Sequence, residues 1–382
     1  MKAARVLGAR VLVAMSGGVD SSVAAAILRE RGYDVVGVAM RLAPDGPGGG
    51  PRRRGTCCSH DDFEDARRVA ERMQFPFYVI DLRADFAARV IDNFVAEYLA
   101  GRTPNPCVMC NREIKFDRLW GRARALEAGL VATGHYARIE RASDGRFCLL
   151  RAADAAKDQS YFLFTLGQAE LARTLFPLGN MTKTEVRARA RALGLTNADK
   201  PESQEICFVP DGDYARTVEA MADRGRIVPG RVIDGAGRVL GEHPGIHRFT
   251  VGQRRGLGIA TGEPLYVRAI SAATGDVTVG RREELMARGL TAARVSMIDP
   301  QFSGPQPSGS QLAGRGATPV EVKIRYRHPA LPATLTMLAG GRAEVRFTSA
   351  GGGPSVTPGQ ACVFYQRDEV LGGGFIERAI ES

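Results

Sequence analysis

Apolar positions follow one rhythm before about residue 210 and another after it. Residues 10–15, RVLVAM, form a short apolar run suited to a buried strand. Residues 21–31 follow with Val23, Ile27 and Leu28 at helical spacing until Gly32 ends the pattern. VVGVAM at 35–40, FYVID at 77–81 and LVATGHYA at 130–137 repeat the strand pattern, with helical stretches such as 61–73 between them. Strands alternating with helices predict an α/β fold, a parallel sheet covered on both faces with its ligand site at the strands' carboxyl ends. Beyond residue 210, the runs PLYVRAI, VTVG, VEVKIRY, AEVRF and ACVFY lie between Gly and Pro and predict a mostly β half. The segments 43–55, APDGPGGGPRRRG, and 301–318 read as surface loops, and no fixed-period repeat is present.

Composition narrows the picture. A chain of 382 residues with 44% hydrophobic and 25% charged residues is long enough for two or three cores. It holds no run of roughly 18 uncharged apolar residues, so a cytoplasmic protein without membrane association is expected. Lys and Arg outnumber Asp and Glu by 52 − 42 = 10, a balance that suits a polyanionic partner. The seven cysteines are an odd number and argue against a disulfide scaffold; cysteines close together in a reducing compartment serve catalysis, redox chemistry or metal binding.

The first concentrated chemistry is Ser16-Gly17-Gly18-Val19-Asp20-Ser21-Ser22, between the first predicted strand and the first helix. There, backbone N–H groups and the helix dipole hold anions, and two glycines let the backbone come close to phosphate. The loop lacks the Gly-Lys-Ser/Thr ending of a Walker motif and is not a G-x-G-x-x-G turn. It resembles the SGGxDS loop of the ATP pyrophosphatases, which split ATP into AMP and pyrophosphate while adenylating a substrate.

Two later segments carry cysteines in polar settings, residues 101–116 (GRTPNPCVMCNREIKF) and 205–208 (EICF). A thiolate is the reactive form of sulfur, and neighbouring Lys or Arg or a helix N-terminus favours it. Cys148 in FCLLR and Cys362 in ACVFY read as buried and structural. With these segments, the blocks SGGVDSSV, ATGHYAR, KDQSYFL, PLGNMTKTEVR, ICFVPDGDY, GEHPGIHRFTVGQRRGLGI, KIRYRH and TPGQACVFY run in order along the chain, which closely resembles the bacterial tRNA-specific 2-thiouridylase family.

The resemblance implies a Rossmann-like pyrophosphate-loop domain over 1–210 that binds ATP and carries the chemistry. After it would come a small β-rich domain over 211–285 and a tRNA-contacting β-barrel over 286–382. It implies that Cys207 carries a persulfide and Cys110 is the nucleophile or resolving cysteine. ATP with Mg²⁺ would adenylate O2 of the wobble uridine in tRNAs for Lys, Glu and Gln, and sulfur would then expel AMP. By the same likeness Ala14, Met15, Ser16, Gly17, Gly18, Val19, Asp20, Ser21, Met40 and Gly134 line the nucleotide pocket. Asn105, Pro106, Cys107, His135, Lys157, Asp158, Gln159, Arg325, Tyr326 and Gln360 would contact an anticodon stem-loop. Sulfur would come from a relay protein or directly from a cysteine desulfurase.

One position departs from the family. Many members have aspartate where this chain has Cys107, and here Cys107 and Cys110 make a C-x-x-C. That spacing is also a metal or redox signature, and Cys207 would add a third thiolate, enough for an iron–sulfur cluster with an open iron. A two-cysteine relay without metal is the preferred reading. Cys57 and Cys58 read as incidental, Asp61 and Asp81 as solvated or capping carboxylates, and 252–256 (GQRRG) as a basic turn or phosphate contact. An amide ligase or synthetase of the pyrophosphate-loop class would need no paired cysteines, and a non-catalytic RNA-binding protein would need no intact SGGVDS.

Overall fold

The computed structural model describes residues 8–42, 60–201, 206–209, 212–260, 262–302, 317–349 and 352–381. The loop expected at 43–55 and Cys57 and Cys58 lie outside these residues, as does most of 301–318. Two compact units are present: one of Met1–Val90, Cys107–Pro210 and Asp368–Val370, the other of Ile91–Pro106, Asp211–Arg367 and Leu371–Ser382.

The first unit is built on the predicted parallel sheet. Strand β1 (Arg10–Ala14) is followed by helix α1 (Val19–Glu30), strand β2 (Asp34–Arg41), helix α2 (His60–Met73) and strand β3 (Phe77–Asp81), and β4 (Leu130–Ala132) comes later. With the short strand Thr174–Leu175 they form a five-stranded sheet in the order β3-β2-β1-β4-(174–175), every pairing parallel. The chain runs from β1 to β2 on one side, while β4 lies on the other. The carboxyl end of β1 is therefore a switch point, where such sheets hold ligands. Val11, Leu12 and Val13 are fully buried, and Val23, Ala24 and Leu28 of α1 pack in the same core as β1. This continuous apolar run is the mark of a strand covered on both faces.

One expected strand is shorter than its sequence suggests. The strand in LVATGHYA ends at Ala132, Thr133 N still donates to Leu175 O at 3.2 Å, and residues 134–137 leave the sheet. Gly134 passes so close to α1 that a Cβ on it would lie 2.7 Å from the Ser21 nitrogen. The apolar pattern continues because Tyr136 and Ala137 are buried by packing outside the ladder.

The second unit is mostly β. Strands Gly230–Ile233, Val239–His243, Tyr266–Ile270 and Val277–Gly280 make a four-stranded sheet over a core that includes Val232, Val267 and Val277. Strands Gly289–Met297, Thr318–Lys323, Leu331–Leu338, Arg342–Phe347, Ala361–Gln366 and Glu369–Ile380 follow. Gly289–Met297 pairs with both Arg342–Phe347 and Glu369–Ile380, which closes them into a barrel around Leu290, Val322, Val345 and Phe364. Among the described residues no helix is long and apolar enough to cross a membrane.

Candidate active site

The loop after β1 is built so that backbone faces outward and side chains brace it from behind. Gly17 has φ +72°, and a Cβ there would come 2.2 Å from the Asp62 carbonyl oxygen, so only glycine fits. Gly18 caps α1 in extended backbone (φ −82°, ψ 160°) without a side-chain cap, leaving the first-turn N–H groups as donors for an anion. Ser21 Oγ donates to Gly18 O at 3.1 Å and accepts from Ser16 N at 3.2 Å, and Ser22 Oγ donates to Gly18 O at 3.0 Å. The Asn197 amide donates to Gly17 O at 3.0 Å and to Ser22 Oγ at 2.9 Å. Lys200 reaches Asp62 at 2.7 Å and Asp65 at 2.6 Å on α2. Burial opposes the Lys200 charge, but hydrogen bonds to the two carboxylates outweigh it and raise its pKa.

Asp20, in the first turn of α1, is held by a cation and a phenol. Lys183 Nζ donates to both carboxylate oxygens at 2.8 Å, and Tyr136 OH donates to Oδ1 at 2.8 Å. Lys183 is buried at the start of the helix Lys183–Ala192 and sits 5.8 Å from the Tyr136 ring centroid. That helix is fixed by a reciprocal cap. Glu185 N donates to Thr182 Oγ1 at 3.3 Å, and Glu185 Oε2 accepts from Thr182 N at 2.7 Å.

A cavity of about 220 Å³ opens at the carboxyl ends of β1, β2 and β4. Ala14, Met15, Ser16, Asp20, Ser21, Met40 and Gly134 line it, together with Leu42, Phe63, Lys115, Thr133, His135 and Gln159. The remaining loop residues, Gly17, Gly18 and Val19, complete the turn and the first residue of α1. His135 is buried, its Nδ1 2.7 Å from Thr133 Oγ1. Burial, helped by the Lys115 charge, pushes its pKa well below the usual histidine range, so it stands as a neutral imidazole. A larger cleft of about 610 Å³, lined by residues such as Arg112, Trp120 and Arg173, holds none of the strand-end residues. The smaller cavity, at the switch point, is therefore the candidate site.

The cysteines separate by setting. Cys107 is exposed on the short helix Pro106–Met109, and Cys110 is buried at the start of a π-helix, Cys110–Phe116. Such turns are rare and concentrate at functional positions. This one carries Cys110 at one end and, at the other, Lys115 on the cavity and Phe116 stacked on His135 at 6.3 Å. Cys207 is half-buried in a turn where Val209 N donates to Ile206 O, and its neighbour Phe208 packs edge-on against Phe86. Cys107, Cys110 and Cys207 are not in disulfides, and among the described residues no three His, Cys, Asp or Glu side chains are placed to hold a metal ion. Burial pushes the Cys148 thiol up to about 11 and the Cys362 thiol up to about 12, settings for inert sulfur, as their sequence contexts suggest.

The residues that the family likeness points toward RNA are scattered in character. Gln159 and His135 face the cavity, Lys157 is half-buried, and Asn105 and Pro106 are buried. Asp158 is held within its own turn. It is buried, and its carboxylate accepts from Ala152 N at 3.0 Å, Ser160 N at 3.1 Å and Ser160 Oγ at 2.9 Å, so it braces the turn from inside. Arg325 donates to Ser355 and Thr357, the Lys323 ammonium lies over the Tyr326 ring, and Gln360 donates to backbone carbonyls of its own unit. Arg254 and Arg255 are exposed on the turn closed by Gln253. Asp81 is exposed and paired with Arg83, whose hydrogen bonds lower its pKa to about 2.

Lys183, Tyr136, Lys115, Asn197 and Lys200 were not singled out from sequence. The signal available was Thr182-Lys183-Thr184-Glu185, a capping-box spelling that starts a helix and puts Lys183 in its first turn.

Family models match in three consecutive stretches: a tRNA methyl transferase HUP domain over residues 9–211, a tRNA methyl transferase PRC-barrel domain over 220–281, and an aminomethyltransferase beta-barrel domain over 293–376. The curated relatives carry a different description. A tRNA-specific 2-thiouridylase MnmA of Geotalea uraniireducens is 53% identical over 98% of this chain and 96% of its own length. Those of Geobacter metallireducens (54%, covering 97% of each chain) and Solibacter usitatus (50%, covering 96% and 99%) are as similar.

Proposed function

The chain belongs to the tRNA-specific 2-thiouridylase family, and from that premise we propose that it adenylates the wobble uridine of tRNAs for Lys, Glu and Gln and replaces O2 with sulfur. The observation that carries the reading is the strand–SGG turn–helix with its first-turn N–H groups uncapped by side chains, beside a cavity that Met40, Gly134 and Asp20 line. This is a cradle for the triphosphate of ATP with room for the base at the strand ends. The word methyl transfer in the domain-model descriptions has no counterpart in this chemistry; a pyrophosphate cradle and two cysteines in one unit suit adenylation and sulfur transfer. We assign ATP chemistry to 1–210, a supporting role to 211–285 and tRNA contact to the barrel over 286–382.

In this mechanism uridine O2 attacks the α-phosphorus and pyrophosphate leaves into the donors of α1. Lys183 holds Asp20 in place at the loop. Mg²⁺ would come with the nucleotide and neutralise phosphate charge. Cys207 carries the persulfide, received from a relay protein or a cysteine desulfurase. The Cys110 thiolate attacks its inner sulfur, forming a Cys110–Cys207 disulfide and releasing hydrosulfide, which adds at C2 and expels AMP. An external thiol reductant then reopens the disulfide. An iron–sulfur route would need Cys107, Cys110 and Cys207 together as ligands; we favour the metal-free relay.

The test is mass spectrometry of nucleosides from tRNA incubated with the purified protein, ATP, Mg²⁺ and a persulfide source. We expect 2-thiouridine and AMP in equal amounts; tRNA that remains unthiolated while ATP is consumed would refute the assignment.

A further inference from the structure

An anion-binding turn aims its N–H groups at the ligand, so its carbonyls turn inward and need donors from the protein. After β1 the two carbonyls concerned are held unequally. Gly18 O accepts from Ser22 N at 3.3 Å, Ser21 Oγ at 3.1 Å and Ser22 Oγ at 3.0 Å, all from α1 itself. Gly17 O depends on a distant part of the same unit. Among the described residues it accepts from the Asn197 amide at 3.0 Å and, at 3.5 Å, from Lys200 Nζ, whose shorter bonds go to Asp62 and Asp65. Asn197 is 2% exposed, and its amide also donates at 2.9 Å to Ser22 Oγ, whose own hydrogen is given to Gly18 O. Both partners require a donor, which fixes the orientation of the amide.

Across a trans peptide the carbonyl and the following N–H point opposite ways, so holding Gly17 O on Asn197 turns the Gly18 N–H away from Asn197. Among the described residues no group accepts from that N–H. Two adjoining glycines put little steric barrier in the way of a half-turn of the peptide between them. Such a turn would set the Gly17 carbonyl where the N–H now stands and repel an anion. We propose that Asn197 is a positioning residue that locks the Gly17–Gly18 peptide with its N–H toward the nucleotide's β- and γ-phosphates. This role rests on the ATP cradle proposed above.

The experiment titrates RNA-free protein calorimetrically with ATP and Mg²⁺, with inorganic pyrophosphate and with adenosine, comparing wild type, Asn197→Leu and Asn197→Ala. Thermal midpoints certify that each variant is folded. The series is then repeated in the Gly18→Ala background. A Cβ on Gly18 meets Ser16 Oγ at an ordinary 3.4 Å, whereas a half-turn of the peptide would carry φ from −82° to about +100°, which an L side chain resists. In either folded Asn197 variant, losing an N–H to phosphate should raise Kd for ATP and for pyrophosphate about tenfold or more and leave adenosine within about twofold. In the Gly18→Ala background the same substitutions should cost at most about threefold. Unchanged ATP affinity, equal weakening of adenosine, or a loss undiminished in the Gly18→Ala background would each overturn the proposal. A wild type that binds ATP but makes no 2-thiouridine refutes the proposed function, while the titrations still decide whether Asn197 sets the loop; one that binds neither ATP nor pyrophosphate refutes both.

Discussion

Replacing Lys183 with methionine tests whether the Asp20–Lys183 pair organises the phosphate loop. Methionine keeps an unbranched stem in place of the lysine chain and removes only the charge. Stripping one partner from a fully buried pair costs ~3–5 kcal/mol. Here Lys183's side chain is 11% exposed but Asp20's is 30% exposed and keeps the Tyr136 hydroxyl, so solvent screening brings the expected cost to about 2 kcal/mol. For a unit of this size that is a fall of roughly 4–8 °C in thermal midpoint. Asp20→Asn should cost a similar amount by leaving Lys183 without its carboxylate. The double variant, with neither charge, should be no less stable than either single one, giving a coupling of about 2 kcal/mol or more. The chain's single tryptophan, Trp120, lies in the same unit on the helix Asp117–Ala125, so its fluorescence during urea unfolding reports this unit directly. Costs that simply add in the double variant, or a Lys183→Met protein as stable as wild type, would refute the argument.

Gly17→Ala should stop adenylation and destabilise the loop by more than ~1–2 kcal/mol, because it adds a Cβ at φ +72° against the Asp62 carbonyl; normal AMP release would contradict this. Cys207→Ser is expected to leave adenylation intact while protein-bound persulfide no longer forms, as measured with labelled sulfur; wild-type loading would remove Cys207 from its role. Cys107→Asp, at an exposed position in the first turn of a helix where a carboxylate is electrostatically favoured, should keep most thiolation in a metal-free assay; iron content and activity falling together would favour a cluster. Since His135 has a folded pKa well below the reference 6.5, the folded state resists a proton that the unfolded chain accepts. Its contribution to stability is therefore full above about pH 6.5 and lost as pH falls below it, so His135→Gln should flatten that acid decline in urea midpoints.

The strands and helices of the parallel sheet were legible because burial on both faces writes continuous apolar runs such as RVLVAM, and because glycine marks the turn where phosphate approaches. LVATGHYA misled by the same logic, since Tyr136 and Ala137 are buried by packing against other elements rather than by strand pairing. The π-helix at Cys110–Phe116 had no periodic signature of its own, because it spans only seven residues between short α-helical turns. Long-range partners were the least legible. Nothing local ties Lys183 to Asp20, or Gln360 to Thr103, and no local pattern marks the backbone groups that Asp158 braces.

The barrel closes through strands that are far apart in the order of synthesis. Gly289–Met297 is its first stave to be made and Glu369–Ile380 its last, yet they are neighbours. Until the last stave has emerged, Gly289–Met297 presents an unpaired edge that invites pairing with another chain, and Ile376 is not there to seat the loop at Gly359 and Gln360. A chain interrupted before Glu369 would therefore be sticky as well as inactive, even with every cysteine and the whole phosphate loop already translated.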